Sequence, residues 1–169
     1  KGTQTEELGE HLEAPVFSSG ALSRLADLPP DVAAIRDAGG LIPSEDFFRY
    51  VLPCVGGPEY EGEPLILDAV GRMSGEEAKT MQIMADQGHP VVAVVYIDVS
   101  EEETRRRGEL GRKDGEVRSD DTPEKHENRL RWFKDHTLPV IDSYRQQGML
   151  VEVNGEQPVE DVTRDILLG

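Results

Sequence analysis

The chain is poor in several things, and each shortage excludes something. One cysteine, Cys54, rules out an internal disulfide and any multi-cysteine zinc site, and is the cysteine usage of a cytosolic protein. No apolar stretch approaches the roughly 18 residues that a membrane-spanning helix needs. The amino-terminal residues carry no secretory signature. Positive charge is scarce, with 18 basic against 34 acidic residues and a formal charge of −16. That balance argues against nonspecific nucleic-acid binding and for a protein that gathers its cations locally. The excess acid forms a solvated face, and composition does not separate a saline habitat from ordinary solubility. The histidines His11, His89, His126 and His136 share no metal-binding spacing.

The scarce cations are concentrated. Arg105, Arg106, Arg107, Arg112, Arg118, Arg129 and Arg131 fall within 27 residues, whereas the whole chain has five lysines. Any one arginine alone fits an exposed ion pair worth about 0–1 kcal/mol. The cluster instead suits planar, bidentate recognition of phosphate.

At 169 residues the chain fits one core domain with small insertions. Helical spacing of Leu8 and Leu12 is followed by the extended run 14–17. Ser18-Ser19-Gly20 opens a helix to about Asp27, and Pro29-Pro30 breaks it before a second helix, 31–38. Gly39-Gly40 closes that helix, 41–43 is extended, and Ser44 opens a third helix to about Val55. Short apolar strands follow at 65–68, 90–99 and 149–153, the first ending in Asp68 in the manner of a strand buried on both faces. A helix over 75–87 separates the first two. Ser100 caps the helix carrying Arg105 to Arg107, and residues 108–117 read as an exposed flap. A long helix from Thr122-Pro123 kinks at Pro139 and ends at Gly148. Asn154-Gly155 turns into a last amphipathic helix, 158–168. Trp132 and Phe133 are assigned to the core-facing edge of the long helix. Alternating helix and apolar strand predicts an α/β fold with a parallel sheet, whose chemistry gathers at the strands' carboxyl ends.

Lys1-Gly2-Thr3 at the head of a helix resembles the end of a phosphate-binding loop, where backbone N–H groups receive phosphate oxygens. With Ser18-Ser19-Gly20 and Arg24, Gly40-Leu41-Ile42-Pro43, Ile66-Leu67-Asp68 with Arg72, Arg107, Arg118-Ser119-Asp120-Asp121, Arg129-Leu130, residues 137–144 and Val153-Asn154-Gly155, the chain resembles the adenylate kinase family of nucleoside monophosphate kinases over its whole length. The resemblance implies a P-loop NTPase-like sheet with helices on both faces, an inserted monophosphate-binding lobe over 18–55 and a short lid over 107–118.

It also implies a cytoplasmic, monomeric phosphotransferase of nucleotide biosynthesis that uses small-molecule nucleotides and neither nucleic acid nor membrane. The γ-phosphoryl group of Mg·ATP passes to a nucleoside monophosphate, with AMP the first acceptor to consider. Lys1, Arg118 and Arg129 become transfer-site cations. ATP falls to Lys1, Gly2, Thr3, Arg107, Arg118, Asn154 and Gly155. The monophosphate falls to Ser19, Gly20, Arg24, Leu41, Ile42, Arg72, Glu76 and Arg129. Mg2+ is held through water by Asp68, with Thr3. Rival readings are a catalytically degenerate nucleotide-binding protein and a kinase for another small hydroxyl or phosphate acceptor.

Departures from the family pattern accompany the matches. Ala69-Val70-Gly71 stands where Gly-Phe-Pro usually precedes the arginine, and Ala21 replaces an acid. Glu76 occupies the place of the glutamine that reads adenine. Because the glycine-rich part of the loop would precede Lys1, the sequence reads as a fragment. Family topology sets the strand before Lys1 in the middle of the sheet, so four strands and little activity from residues 1–169 alone are expected.

Overall fold

The computed structural model describes residues 2–38, 42–113 and 123–169, without the side chains of 109–113, 123, 125 and 126. The chain divides into two compact units, Lys1–Val92 and Ala93–Gly169.

In the first unit, α1 (Gly2–His11) leads to β1 (Val16–Ser18), α2 (Ser19–Leu25) and α3 (Pro30–Asp37). Next come α4 (Ser44–Asp46), β2 (Ile66–Asp68) and α5 (Glu77–Asp86). β1 and β2 pair in parallel, with Val16 opposite Ile66 and Ser18 opposite Asp68. The caps are those the residues dictate. Ser18 Oγ accepts from Ala21 N at 3.1 Å, and Pro30 occupies the first turn of α3. Phe17, Leu22, Ala26, Phe48, Val51, Leu52, Val55 and Met84 form the core, which seats the insertion between β1 and β2 against α5. Half-buried Cys54 packs against this core, and burial pushes its thiol pKa up.

The helix expected over 44–55 is not uniformly α. It widens to a π-turn over Phe47–Val51 and tightens to a 3-10 turn over Leu52–Gly56. Pro53 is the reason: its ring collides with the carbonyl four residues back, and widening the preceding turn relieves that collision. Leu52 N instead reaches Phe47 O, five residues away. The second unit repeats the device. Leu138 N reaches Phe133 O in a π-turn, Phe133–Thr137, just before Pro139. The kink expected at Pro139 is therefore a widened turn, splitting the long helix into α7 (Pro123–Trp132) and α8 (Leu138–Gln146).

In that second unit β3 (Val94–Asp98) pairs in parallel with β4 (Leu150–Asn154), and Asp98 lies opposite Asn154. Between them run α6 (Glu101–Lys113), α7 and α8, and α9 (Val159–Leu168) follows β4. Val140, Ile141, Tyr144, Val153, Val162 and Ile166 are buried. Phe133 stacks on Tyr96 with ring centroids 6.3 Å apart.

Two expectations need correction. The strand expected over 90–99 begins only at Val94. The flap expected over 108–117 is helical as far as Lys113, because α6 propagates through Gly108 and Gly111. Its first turns are reinforced by Arg105 with Glu101 and Arg107 with Glu103, each four residues apart. The remainder of that flap lies outside the described residues. Four strands were expected and four are described, paired two and two.

Candidate nucleotide site

In the first unit the predicted monophosphate residues Ser19 and Gly20 follow β1 directly, and Arg72 lies in the loop after β2. The register puts Ser18 beside Asp68, so the turn into α2 and the loop after β2 start side by side. Ser19 and Gly20 form the first turn of α2, behind the Ser18 cap. Arg24 is exposed, and its guanidinium lies back along the helix: a Cβ built on Gly20 would stand 3.8 Å from Arg24 Nη1 and 3.9 Å from Ser18 Oγ. Buried Ser23 donates to Gly20 O at 2.9 Å, and Arg36 Nη1 donates to Ser23 O at 3.0 Å, which ties α3 to α2.

The loop carrying Arg72 has an unusual path. Ala69 has φ of 61° and Gly71 has φ of 67°. The family's proline could not adopt the second of these values, so Gly71 takes a route closed to it. Gly71 is buried against Thr80, and a Cβ there would come within 2.9 Å of Thr80 Oγ1. That hydroxyl is buried without a hydrogen-bond partner among the described residues. Arg72 is exposed and Asp68 is half-buried.

Glu76 ends up against the insertion. Ser44 Oγ donates to Glu76 Oε1 at 2.6 Å across 32 residues of sequence. Ile42, also assigned to the base, packs against the core two residues before Ser44. One turn beyond Glu76, Lys79 holds its ammonium 5.0 Å from the Phe48 ring centroid. Glu45, Phe48, Arg49 and Lys79 line a cavity of about 330 Å³.

In the second unit the predicted ATP residues Arg107, Asn154 and Gly155 come together. Gly155 N donates to Asp98 O at 2.7 Å, closing the turn after β4 onto the end of β3. Any Cβ on Gly155 would meet Ile97 Cγ2 at 2.5 Å and Val99 Cγ2 at 2.6 Å. Asn154 Oδ1 accepts from Glu156 N at 2.9 Å, which fixes the turn. Arg107 Nη2 donates to Gly155 O at 2.9 Å, and its Nε donates to Glu103 Oε1 at 2.7 Å. Glu103 also receives Arg106 in a two-point contact, and these two guanidiniums hold its carboxyl down to about 2, Arg106 contributing most. Sequence reasoning missed Glu103 and Glu156 as supports. Their signals were the four-residue spacing of Glu103 to Arg107 and the place of Glu156 just after the turn.

Arg129 is exposed on α7, whose neighbour Glu127 takes Arg105 of α6 through Oε1 at 2.6 Å. Lys1, Leu41 and Arg118 lie outside the described residues. Gly2 and Thr3 are exposed in the first turn of α1. Among the described residues no cluster of three or more metal-binding side chains occurs. Magnesium held through water by one carboxylate and by phosphate oxygens needs no such cluster, and Asp68 at the end of β2 is an oxygen donor of the required kind.

Parallel strands joined through helices, with polar turns at their carboxyl ends, define a P-loop NTPase-like α/β protein. A gluconokinase from Sinorhizobium meliloti 1021 shares the fold, with a TM-score of 0.60 at 18% identity, over 99% of this chain and 82% of that one. Sequence similarity goes further. The adenylate kinase of Methylorubrum populi is 32% identical over 183 residues, covering 98% of this chain and 88% of that protein. The adenylate kinase of Leptospira biflexa is 33% identical over 179 residues, covering 99% and 91%. The adenylate kinase of Stenotrophomonas maltophilia is 32% identical over 172 residues, again covering 99% and 91%. No family model matches the chain. The chain belongs to the adenylate kinase family.

Proposed function

We propose that the protein is a nucleoside monophosphate kinase, transferring the γ-phosphoryl group of ATP to a nucleoside monophosphate and releasing two diphosphates. A phosphate oxygen of the acceptor bonds to the γ-phosphorus as the bond to the β-phosphate oxygen breaks, and no covalent intermediate forms on the protein. The protein's part is to align two anions and neutralise charge. Arg24 and Arg72 hold the acceptor phosphate. Lys1, Arg118 and Arg129 face the transferring group. Arg107 with the Asn154-Gly155 turn holds the ATP side, and residues 107–118 act as its lid. Magnesium, when bound, would neutralise β- and γ-phosphate charge, with Asp68 and Thr3 as its protein contacts. Residues 18–55 act as the monophosphate lobe of a single kinase domain, and AMP is the reference acceptor that the family implies.

The observation that carries this reading is the register of Ser18 with Asp68, which starts α2, the helix bearing Ser19, Gly20 and Arg24, alongside the loop bearing Arg72. Assay of the full-length protein with ATP and each monophosphate tests it. Arg24→Ala should raise KM for the acceptor roughly 10-fold to 100-fold, the worth of one charge-assisted contact, with the melting temperature little changed. The altered path at Ala69 and Gly71 favours a second reading, a protein that binds nucleotides without transfer. Saturable nucleotide binding with no diphosphate formed would establish that alternative.

A further inference from the structure

We infer that Glu76, with Ser44 and Lys79, sets the acceptor preference toward a guanine base and away from adenine; this rests on the monophosphate-kinase reading above. An ionised carboxylate offers acceptors only, whereas a glutamine offers a donor as well. Ser44 Oγ, at 2.6 Å, spends its hydrogen on Glu76 Oε1, and this contact fixes the carboxylate against the insertion. Oε2 and the remaining lone pair of Oε1 are left to take donors. Lys79 follows Glu76 by three residues at the head of α5, the spacing that puts two side chains on one helix face, and it supplies a donor only.

The array is thus the acceptors of Glu76 and, three residues on along the same helix face, one cationic donor resting over Phe48. Guanine's pairing edge is its complement, with adjacent N1–H and N2–H2 donors and the O6 acceptor. Adenine reverses the matches at N1 and at position 6 and lacks the amino group at position 2, because its N1 is an acceptor facing a carboxylate and its N6 amino group is a donor facing an ammonium. Cytosine also presents a bare ring nitrogen, and uracil offers a single ring N–H. Phe48, beneath the Lys79 ammonium, gives the cavity of about 330 Å³ that the two line with Glu45 and Arg49 an aromatic wall. Ser19, whose hydroxyl both donates and accepts, serves either purine.

The test is phosphoryl transfer from ATP by the full-length protein to AMP, GMP, CMP and UMP, for wild type and Glu76→Gln. The expected result is kcat/KM for GMP above that for AMP by roughly 10-fold to 100-fold, the discrimination a two-point base contact supplies. Glu76→Gln should narrow or reverse that ratio, and Ser44→Ala should lower kcat/KM for GMP without reversing it. Turnover with AMP preferred, unchanged by Glu76→Gln, would overturn the inference while leaving the kinase reading intact. Transfer to no monophosphate would overturn the kinase reading. In that case calorimetric binding decides the inference, with GMP bound at least about tenfold more tightly than AMP in its favour and equal or weaker binding against it.

Discussion

Arg107 Nη2 donates to the carbonyl of Gly155 at 2.9 Å, joining α6 to the turn after β4 across 48 residues. Gly155 is buried there because the side chains of Ile97 and Val99 already fill the space a Cβ would need. Gly155→Ala should therefore destabilise the protein by about 1–3 kcal/mol through overpacking, seen as a lower denaturant midpoint. Arg107→Ala leaves that packing alone. It should raise KM for ATP several-fold while the midpoint hardly moves, and a matching loss of stability would show the arginine to be structural.

Ala69 sits at φ 61°, in the left-handed region where a Cβ costs about 1–2 kcal/mol. Ala69→Gly relieves that strain but adds about 0.4–1 kcal/mol of chain entropy to the unfolded state. The strain is the larger quantity, so the variant should gain up to about 1.6 kcal/mol of stability, measured by chemical denaturation. A loss would mean that the alanine methyl makes contacts worth more than the strain.

Glu103 has its carboxyl lowered to about 2 by Arg106 and Arg107, against an ordinary value of 4.5. A depressed folded-state pKa gives stability that is present above the unfolded value and is lost as pH falls through the folded one. Denaturation midpoints followed from about pH 5.5 down to about pH 2.5 should fall less steeply in Glu103→Gln than in the wild type.

Tyr96 shows the opposite sign at the alkaline end. Burial, followed by the hydrogen bond that its hydroxyl donates to Asp98 at 2.9 Å, pushes its pKa up to about 12 from 10. Its contribution to stability is full below the ordinary value and is lost as pH rises through the raised one. Ultraviolet titration of phenolate should contain a late component that Tyr96→Phe abolishes, and persistence of that component in the variant would assign it to another tyrosine.

The fold was legible wherever the cause was local. Pro30 at a first turn, Ser18 and Ser100 as caps, and Gly148 after α8 act through their own dihedrals and nearby backbone groups, and each marks its boundary. The conformation around Leu52-Pro53 and Leu138-Pro139 was legible only in part. Pro139 announced a kink, whereas the helix over 44–55 was expected to pass through Pro53 undisturbed, and in both places the chain widens to a π-turn. At residues 108–113 the lack of apolar period was misleading, since α6, whose first turns are reinforced by ion pairs, continues through them.

Sequence by itself determined the order of helices and strands and the set of arginines available for phosphate, because caps, breakers and periodicity act within a few residues. It also displayed Glu76 as the departure at the base position. Only tertiary structure decided what Glu76 touches, how Arg107 is braced and that Gly71 follows a path closed to proline. Those outcomes depend on contacts such as Ser44 to Glu76 and Arg107 to Gly155, between residues 32 and 48 positions apart. Partners at such separation meet through packing of the whole unit, which no short-range pattern encodes.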